Sequence, residues 1–480
     1  MKRGDELELV VERFASEGQS IARVDGIVVF IQGGVPGDRV LARIEKAKKQ
    51  YVRAEVLSLL TASPLRRLPR CKYFGTCGGC MWQHVGYQSQ LEFKRQHVVD
   101  TLERIGGFGG IAVNATVGSA DEFFYRNKME FSFGDRWLTK EELERQMQQQ
   151  ENRSPLFALG LHIPGRFDKV LDIDECFLQS ETSQGIVNTV RSFCIERGLS
   201  IYSTRTHEGY LRNLVIREGR RTREMMVNLV TSEDRSDLMH ALCSALLALY
   251  PGITTVINNI TERKSQVAIG DIEKVYHGPG FITERIGKRT YRISANSFFQ
   301  TNTLQAERLY DIASGLARLN TDDIVFDLYS GTGTIALHVA DEVKEVVGIE
   351  TVGSAIEDAR RNAVMNGVGN CTFVLGDLKD KLTRDTGWLS NHARPTVMLI
   401  DPPRSGMHEK VVVEIAALRP DRIVYVSCNP ATQARDVKLL CSLAPYRITG
   451  VQPVDMFPQS YHVENVIGLS MIPGSQTTVS

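Results

Sequence analysis

The sequence predicts an α/β protein of three parts: a small N-terminal β-barrel, a central α+β region and a C-terminal doubly wound, Rossmann-like domain. The chain of 480 residues is too long for one ordinary hydrophobic core. Residues 5–60 alternate apolar and polar side chains as strands do. From about residue 320, apolar strands alternate with helices, which indicates a parallel sheet covered on both faces. We therefore expect domains over residues 1–60, 61–290 and 291–480.

The N-terminal region is predicted to contain three to five short strands. Its β-rich runs are "ELELVVERF", "IARVDGIVVFI" and "RVLARIEKAKKQYVRAEVLSLL", separated by "SEGQS" and "GGVPGD". Glycine-containing breaks between short strands favour a closed barrel of the oligonucleotide-binding sort. "TASPLRRLPR" then reads as a proline-marked linker.

A basic stretch begins in the last of these runs and continues through the linker. Only Glu45 and Glu55 oppose its positive charges within the stretch. Such a stretch is either a solvated face or a surface that contacts phosphates. Its ten basic residues are Arg39, Arg43, Lys46, Lys48, Lys49, Arg53, Arg66, Arg67, Arg70 and Lys72.

The central region mixes strand and helix patterns between residues 120 and 290. "NKMEFSFG", "LFALGLHIPG" and "REMMVNLVT" are predicted strands, and "SQGIVNTVRSFCIERG" and "RSDLMHALCSALLALY" are predicted amphipathic helices. Between the first two strands, the polar segment "LTKEELERQMQQQENRSP" is expected to be a surface insertion in a hairpin.

Three of the nine cysteines crowd into "CKYFGTCGGC", as Cys71, Cys77 and Cys80. No apolar run is long enough to cross a bilayer, and the start "MKRGDELELVVERF" lacks the apolar stretch of a signal peptide. We therefore expect a cytoplasmic protein with reduced thiols, in which clustered cysteines indicate a metal site or catalysis. The Cys-x5-Cys-x2-Cys spacing leaves zinc and an iron–sulfur cluster as open alternatives.

The C-terminal region begins with a buried strand and a glycine turn, "FDLYSGTGTIAL", which contains Gly331 and Gly333. Glycine at such a turn lets the backbone approach a ligand closely. The next strand ends at Glu350, whose carboxylate can accept hydrogen bonds from ribose hydroxyls. Ala336 at the third small position and Asp327 within the first strand favour S-adenosylmethionine over a nicotinamide dinucleotide.

Two later strands end in residues suited to chemistry. "LIDPPRSG" places Asp401 at a strand end, and Arg404 stands where methyltransferases acting on amines carry an aromatic residue, so amine methylation is disfavoured. "VYVSCNP" places Cys428 at the same sheet edge. The other cysteines in apolar runs are expected to be core residues. These are Cys194, Cys243, Cys371 and Cys441.

A thiolate at this edge suits methylation at C5 of uracil. That carbon is too electron-poor to take a sulfonium methyl group unaided, and addition of a thiolate at C6 makes it a carbon nucleophile. A base must afterwards remove the C5 proton. His462 and Glu464 are candidates, because alternation along a strand would put both on one face.

These motifs, in this order, resemble the bacterial uracil-5 RNA methyltransferase family. The resemblance rests on "QTN" at Gln300–Asn302, "FDLYSGTGTIAL", "DPPRSG", "VYVSCNP" and "FPQSYHVENV". "CKYFGTCGGC", with a small β-domain before it, is similar to the 23S rRNA branch, which has an N-terminal TRAM domain and a [4Fe-4S] cluster.

The resemblance implies a role for each matching residue. Cys428 would be the nucleophile, Glu464 the proton-abstracting base, and Phe298 an aromatic that stacks on RNA. It also implies that Cys176, in "VLDIDECFLQS", is the fourth cluster ligand beside Cys71, Cys77 and Cys80, and that residues 84–115 pack with the catalytic domain. The implied S-adenosylmethionine contacts are Gln300, Tyr329, Gly331, Gly333, Glu350, Asp377 and Asp401.

We therefore expect an enzyme that methylates a uridine of 23S rRNA, acts as a monomer, and binds neither DNA nor a membrane. The same chemistry on tRNA is the nearest alternative. An RNA-binding assembly factor without activity, or an iron–sulfur oxidoreductase using a nicotinamide, are alternatives from other classes. The intact Cys428 and Glu464 disfavour the assembly factor.

Overall fold

The computed structural model describes residues 1–15, 18–48, 50–138, 157–265, 267–383 and 393–473. Its strands form one six-stranded sheet, two seven-stranded sheets and a two-stranded ribbon. The helices are α1 (Tyr87–Thr101), α2 (Glu181–Glu196), α3 (Ser236–Leu249), α4 (Thr303–Ala317), α5 (Thr334–Val339), α6 (Gly353–Met365), α7 (Leu378–Lys381), α8 (Glu409–Leu418) and α9 (Pro430–Leu443). In this part of the chain, no helix has the length and apolarity that crossing a bilayer requires.

The N-terminal sheet has six strands, more than the three to five predicted. Turns divide two of the predicted runs, and Asp25 and Gly26 supply the left-handed conformations (φ 50° and 77°) that split "IARVDGIVVFI". The strand order is β1-β5-β6-β4-β3-β2, and alternate residues such as Val40, Ala42 and Ile44 fill the core. The strands are β1 (Glu6–Val10), β2 (Arg13–Phe14), β3 (Ser20–Val24), β4 (Ile27–Gln32), β5 (Arg39–Ala47) and β6 (Tyr51–Thr61).

The basic stretch is less free than its sequence indicates. Acidic residues from distant parts of the chain neutralise four of its cations through ion pairs. The pairs are Arg39–Glu8, Arg43–Glu6, Arg66–Asp38 and Lys72–Asp174. Lys49 lies outside the described residues.

The central sheet is mixed, with the order β13-β12-β11-β10-β7-β8-β9. The three predicted strands are confirmed as β7, β8 and β11, and the two predicted helices as α2 and α3. β7 and β8 pair antiparallel, so the predicted hairpin is present, while the insertion between them lies outside the described residues apart from Leu138. The strands are β7 (Lys128–Arg136), β8 (Phe157–Ile163), β9 (Arg166–Asp172), β10 (Leu211–Glu218), β11 (Met225–Thr231), β12 (Thr255–Ile260) and β13 (Ile272–His277).

The C-terminal sheet has the order β18-β17-β16-β19-β20-β22-β21, with β22 antiparallel to both of its neighbours. The other strands run parallel, so their carboxyl ends share one edge. A ribbon of β14 (Phe281–Ile286) and β15 (Arg289–Ser294) precedes them. The sheet strands are β16 (Ile324–Leu328), β17 (Glu345–Glu350), β18 (Cys371–Leu375), β19 (Val397–Ile400), β20 (Arg422–Ser427), β21 (Tyr446–Val454) and β22 (Glu464–Met471).

Helix α1 belongs by sequence to the region after the cysteines, yet it packs on the C-terminal sheet. Val98 of α1, Leu102 of the π-helical turn that follows, and Val113 share a core with Ile400 and Tyr425. The chain therefore crosses to this sheet and returns before the central strands begin.

Candidate active site

The glycine turn lies at the carboxyl end of β16, where an open α/β sheet binds its ligands. Tyr329, which has a side chain, adopts a left-handed φ of 65°, followed by Gly331 at 52° and Gly333 at 77°. A Cβ on Gly331 would meet no atom within 4 Å, so the backbone there faces open space. A Cβ on Gly333 would lie 2.8 Å from the Phe373 ring, so that glycine is required by packing.

Two polar atoms beside this turn are buried without a partner among the described residues. They are Oδ1 of Asp327 and Oγ of Ser330. The other Asp327 oxygen accepts a hydrogen bond from the Ala336 amide at 3.0 Å. Buried polar atoms normally form hydrogen bonds, so these two unpaired oxygens and the open space at Gly331 fit a ligand with polar groups.

Glu350 and Asp377 end neighbouring strands on the same side of the turn. Oε2 of Glu350 accepts the Gly331 amide at 3.1 Å, and Oε1 accepts the Val352 amide at 2.9 Å. Asp377 caps α7, accepting the Lys379 amide at 2.9 Å. Burial raises the pKa of Tyr329 to about 12, and the charges of Asp436, Asp377 and Glu350 add to that shift.

The "QTN" segment approaches the site from the N-terminal side of α4. Gln300 is buried, and its carbonyl oxygen accepts a hydrogen bond from Nδ2 of Asn127 at 2.9 Å. Asn302 caps α4. Phe298, two residues before Gln300, leaves 68% of its surface exposed, which is unusual for so large an apolar side chain.

Cys428 follows β20 directly and is half-buried. Burial raises the pKa of its thiol to about 11, and the carboxylates of Glu464 and Asp401 add to the shift. The guanidinium of Arg404 opposes it, by its charge and by a hydrogen bond to the sulfur. The structure thus places Cys428, Glu464 and Asp401 where their charges act on one another, and Arg404 acts on Cys428 and Glu464.

The carboxyl groups of this cluster hold protons unusually tightly. Burial raises the pKa of Glu464 to about 8, with Asp401 adding to the shift and Arg404 opposing it. Burial also raises the pKa of Asp401 to about 7. For Asp327, burial and then the Asp401 charge raise the pKa to about 8. Raised carboxyl pKa values grouped at a sheet edge are typical of catalytic sites.

His462 does not share a strand face with Glu464, as alternation had predicted, because β22 begins only at Glu464. Its ring still reaches the site, with Nδ1 lying 3.4 Å from Nη2 of Arg404. Burial, followed by the charges of Arg404, Lys94 and Arg126, lowers the pKa of His462 to about 4. A histidine with so low a pKa is a weak proton acceptor near neutrality.

The segment between β21 and β22, residues 455–463, is held by α1, which lies within the residues 84–115 that the resemblance placed against the catalytic domain. The sequence analysis did not predict the contacts between α1 and this segment. The Lys94 ammonium meets Oδ1 of Asp455 at 2.6 Å, and both side chains are fully buried. Gln90 and Gln459 exchange two hydrogen bonds of 3.0 Å. Gln90 and Lys94 lie four residues apart on α1 and therefore share one face of the helix, and nothing in the local sequence marked that face as buried.

The four cysteines of the predicted cluster line one cavity, together with apolar side chains such as Leu161 and Ile173. Burial raises the pKa of Cys77 to about 11 and that of Cys80 to about 12, and negative charge on the other thiols adds to both shifts. Among the described residues, no three His, Cys, Asp or Glu side chains converge so as to hold a single metal ion. The thiols therefore share a cavity without meeting at one point.

The loop that contains Cys71, Cys77 and Cys80 (the cysteine loop) also contacts the segment of residues 455–463 (the catalytic loop). The amides of Met81 and Trp82, directly after Cys80, both donate to the carbonyl oxygen of Gln459 at 2.9 Å. The segment that leads to Glu464 is thus attached to α1 and to the cysteine loop.

Fold and site together define an S-adenosylmethionine-dependent methyltransferase with a Rossmann-like catalytic sheet. A family profile described as tRNA (Uracil-5-)-methyltransferase matches residues 274–472, and a TRAM domain profile matches residues 1–57. The chain belongs to the RNA (uracil-5-)-methyltransferase family, and it carries the TRAM domain at its N-terminus.

Relatives match the chain over nearly its whole length. An uncharacterized RNA methyltransferase of Chlorobaculum tepidum is 45% identical over 469 residues, 97% of this chain and 96% of that one. One from Porphyromonas gingivalis is 43% identical over 457 residues, 94% and 97% of the two chains. The crystal structure of Pyrococcus abyssi tRNA (uracil-54, C5)-methyltransferase with S-adenosyl-L-homocysteine superposes with a TM-score of 0.74 and 32% identity, covering 96% of this chain and 99% of that one.

Proposed function

We propose that this protein methylates C5 of a uridine in 23S rRNA through a covalent bond between Sγ of Cys428 and C6 of the base. The observation that carries the proposal is the meeting of Cys428, Glu464, Asp401 and Arg404 at the edge that also holds the glycine turn. S-adenosylmethionine supplies an electrophilic methyl group when it is bound.

Cys428 and Arg404 act first. As the sulfur adds to C6, the thiol passes its proton to the Asp401 carboxylate, which leaves Glu464 ionised and returns the proton when the sulfur is released. The electron pair of the C5–C6 double bond moves into an enolate at C4. Arg404 favours this step because its positive charge lowers the pKa of the Cys428 thiol. The target base leaves its stack to reach the sulfur.

Glu464 acts second. Once C5 carries the methyl group, its remaining proton passes to the Glu464 carboxylate, the C5–C6 double bond reforms, and the bond from C6 to sulfur breaks. The raised pKa of Glu464, about 8, makes it a far better proton acceptor than His462, whose pKa is about 4. Glu464 must be ionised to accept that proton, so we expect activity to rise with pH through this range.

The S-adenosylmethionine contacts are proposed on the residues of the glycine turn edge. Gly331 leaves room for the ligand, and the unpaired oxygen of Asp327 offers an acceptor beside it. The remaining contacts proposed there are Gln300, Tyr329, Gly333, Glu350, Asp377 and Asp401.

We also propose that Cys71, Cys77, Cys80 and Cys176 hold a [4Fe-4S] cluster. Four thiols in one apolar cavity stay protonated unless a metal centre neutralises them, and a cube of four irons takes thiolates at separate corners rather than at one point. With every iron capped by a cysteine, the cluster's role is structural: it pins the cysteine loop that hydrogen-bonds to Gln459.

The proposed division of labour follows three domains, 1–60, 61–290 and 291–480, with α1 packed on the third. The TRAM domain and the central domain bind folded RNA. Within the basic stretch, Lys46 on β5 and Arg53 on β6 are the cations best placed to contact phosphate, because neither forms an ion pair among the described residues. Phe298 is exposed as an aromatic that stacks on RNA would be.

Methylation of tRNA is the second candidate, and the comparisons favour it specifically. The Pyrococcus abyssi protein, named for uracil-54 of tRNA, matches 96% of this chain. The presence of all three regions therefore does not by itself select rRNA. The resemblance of "CKYFGTCGGC" and the small β-domain to the 23S rRNA branch supports the first candidate.

One experiment separates these substrates and tests the chemistry. Unmodified 23S rRNA and tRNA transcripts are incubated with the protein and isotopically labelled S-adenosylmethionine, and 5-methyluridine is mapped by mass spectrometry. Label in tRNA alone would overturn the rRNA assignment, and label in neither would favour a binding protein. Cys428→Ala should abolish methylation and any adduct with 5-fluorouridine RNA, whereas Cys441→Ala is the matched control. Glu464→Gln should trap the RNA on the protein, and free methylated product would refute its role as base.

A further inference from the structure

The described residues enclose a second cavity, of about 190 Å³, which the proposed chemistry does not use. Its walls come from the segment before β7, the start of α2, and the turn that joins β10 to β11. That turn is fixed by backbone hydrogen bonds of 2.8 Å from Gly219 to Glu224 and from Arg223 to Gly219. The sequence "GRRTRE" of the turn had no role in the sequence analysis.

The acidic residues of this cavity are already satisfied by neutral donors. Oε1 of Glu218 accepts the hydroxyls of Ser180, at 2.8 Å, and of Ser183. Oε1 of Glu224 accepts the Thr283 hydroxyl at 3.0 Å. These carboxylates therefore hold the walls together, and they form no ion pair with the three arginines of the cavity among the described residues.

Three arginines line the cavity, and one of them is paired. Arg220 forms an ion pair of 2.7 Å with Asp121. Arg126 donates from Nε to the carbonyl oxygen of Lys128 at 3.0 Å, and Arg223 is exposed. Within the described ranges, neither Arg126 nor Arg223 forms an ion pair, so the cavity offers two guanidinium groups that are free to contact a ligand.

The cavity is connected to the catalytic residues through its own wall. The Tyr125 hydroxyl donates to the carbonyl oxygen of Pro458, in the catalytic loop, at 3.1 Å. Asn127 donates to the carbonyl oxygen of Gln300 at 2.9 Å. The charge of Arg126 reaches His462, whose pKa it helps to lower.

We propose that the cavity binds a backbone phosphate of the substrate RNA, from a nucleotide that flanks the target uridine. Planar guanidinium groups match phosphate oxygens in geometry and charge. The start of α2, where Ser180 and Thr182 line the cavity, adds the positive end of a helix dipole. A base is a poorer fit than a phosphate, because Arg70 covers the Phe124 ring at 5.0 Å and Phe177 packs edge-on to it. This assignment rests on the proposed function, in which RNA is the substrate.

The test compares Arg126→Gln, Arg223→Gln and the double variant with the wild-type protein, using an unmodified 23S rRNA transcript as the probe. Each substitution should raise the KM for RNA several-fold more than it lowers kcat. Each should also reduce the slope of log affinity against log salt by about 0.7–0.9, the value of one phosphate contact. The S-adenosylmethionine affinity should stay at the wild-type value. Arg394→Gln removes the same charge at the amino end of β19, away from the site, and is the matched control.

The outcomes separate this inference from the proposed function. If the wild-type protein methylates no RNA, the proposed function fails first. If it methylates RNA and the salt slope of Arg223→Gln equals that of Arg394→Gln, the phosphate site is refuted. Arg223 is exposed, so its substitution leaves the fold intact and decides the matter even where Arg126→Gln does not fold. Equal losses of RNA affinity without a change in slope would also overturn the proposal.

Discussion

Replacing Lys94 by methionine should loosen the segment of residues 455–463. Lys94 and Asp455 are both fully buried, and their charged atoms lie 2.6 Å apart. Without the ammonium, Asp455 would keep the Tyr87 hydroxyl at 3.0 Å and the Phe457 amide at 3.0 Å, but no positive charge. Leaving a buried carboxylate uncompensated in this way costs about 3–5 kcal/mol.

The substitution should lower the stability of the whole protein and also make residues 455–463 open more often. A loss of about 3 kcal/mol is more than a hundredfold in an opening equilibrium. Hydrogen exchange across residues 455–463 should therefore accelerate by that order in Lys94→Met, measured by mass spectrometry. Methylation should fall with it, because this segment leads directly into Glu464.

A second variant separates the charge from the fold. Lys94→Met combined with Asp455→Asn removes both charges, which is often nearly neutral for a buried pair. The double variant should recover most of the lost protection, giving a coupling energy of at least about 2 kcal/mol. Wild-type exchange in Lys94→Met, or a double variant that is no better than the single one, would refute the reasoning. Lys410→Met, which changes an exposed lysine in the first turn of α8, is the control.

Three further predictions follow from the same site. In the folded protein the pKa values of Asp327, Asp401 and Glu464 are raised to about 8, 7 and 8. The folded state therefore keeps protons that the unfolded chain has lost, and the free energy of unfolding should fall as pH rises from about 4.5 to about 8. Thermal melting should show this fall, and Glu464→Gln should flatten it; a melting temperature that rises over this range would contradict the pKa directions. Gly333→Ala should destabilise the protein more than Gly331→Ala in urea unfolding. A Cβ at position 333 would lie 2.8 Å from Phe373, whereas a Cβ at position 331 would meet no atom within 4 Å. Equal losses of stability would show that the left-handed conformation alone matters. Cys77→Ser should remove the absorbance of the proposed iron–sulfur cluster and speed hydrogen exchange in residues 455–463. Cys194→Ser, on α2, is the control and should do neither. Full absorbance in Cys77→Ser would exclude Cys77 as a ligand.

Part of the proposed catalytic edge could be predicted because Glu350, Asp401 and Cys428 lie at or directly after the ends of parallel strands. Cys428 and Glu350 follow apolar runs whose parallel pairing forces their carboxyl ends together. His462 shows the limit of that reasoning, because a strand that begins two residues later removes the assumed alternation. The strand count of the N-terminal sheet failed for a similar reason: the Asp25–Gly26 turn is short enough to look continuous with its flanking strands.

The contacts that hold the site were beyond the sequence. Lys94 and Asp455 are 361 residues apart, and nothing local indicates that a helix lysine would be fully buried. The same holds for the ion pairs that neutralise Arg39 and Arg43, whose partners lie on the neighbouring strand β1. Pairings of this kind depend on the tertiary fold, and charge patterns read along the chain overestimate free positive charge when they omit them.

The position of Glu464, the proposed base, joins the regions of the chain structurally. The family profile covers residues 274–472, which include Cys428, Asp401 and Glu464. The segment that leads into Glu464 nevertheless takes hydrogen bonds from Met81, Trp82 and Gln90, and its buried aspartate takes its counterion from Lys94. The region that begins with the cysteines therefore holds the segment that leads into Glu464, in addition to the RNA-binding role proposed for it.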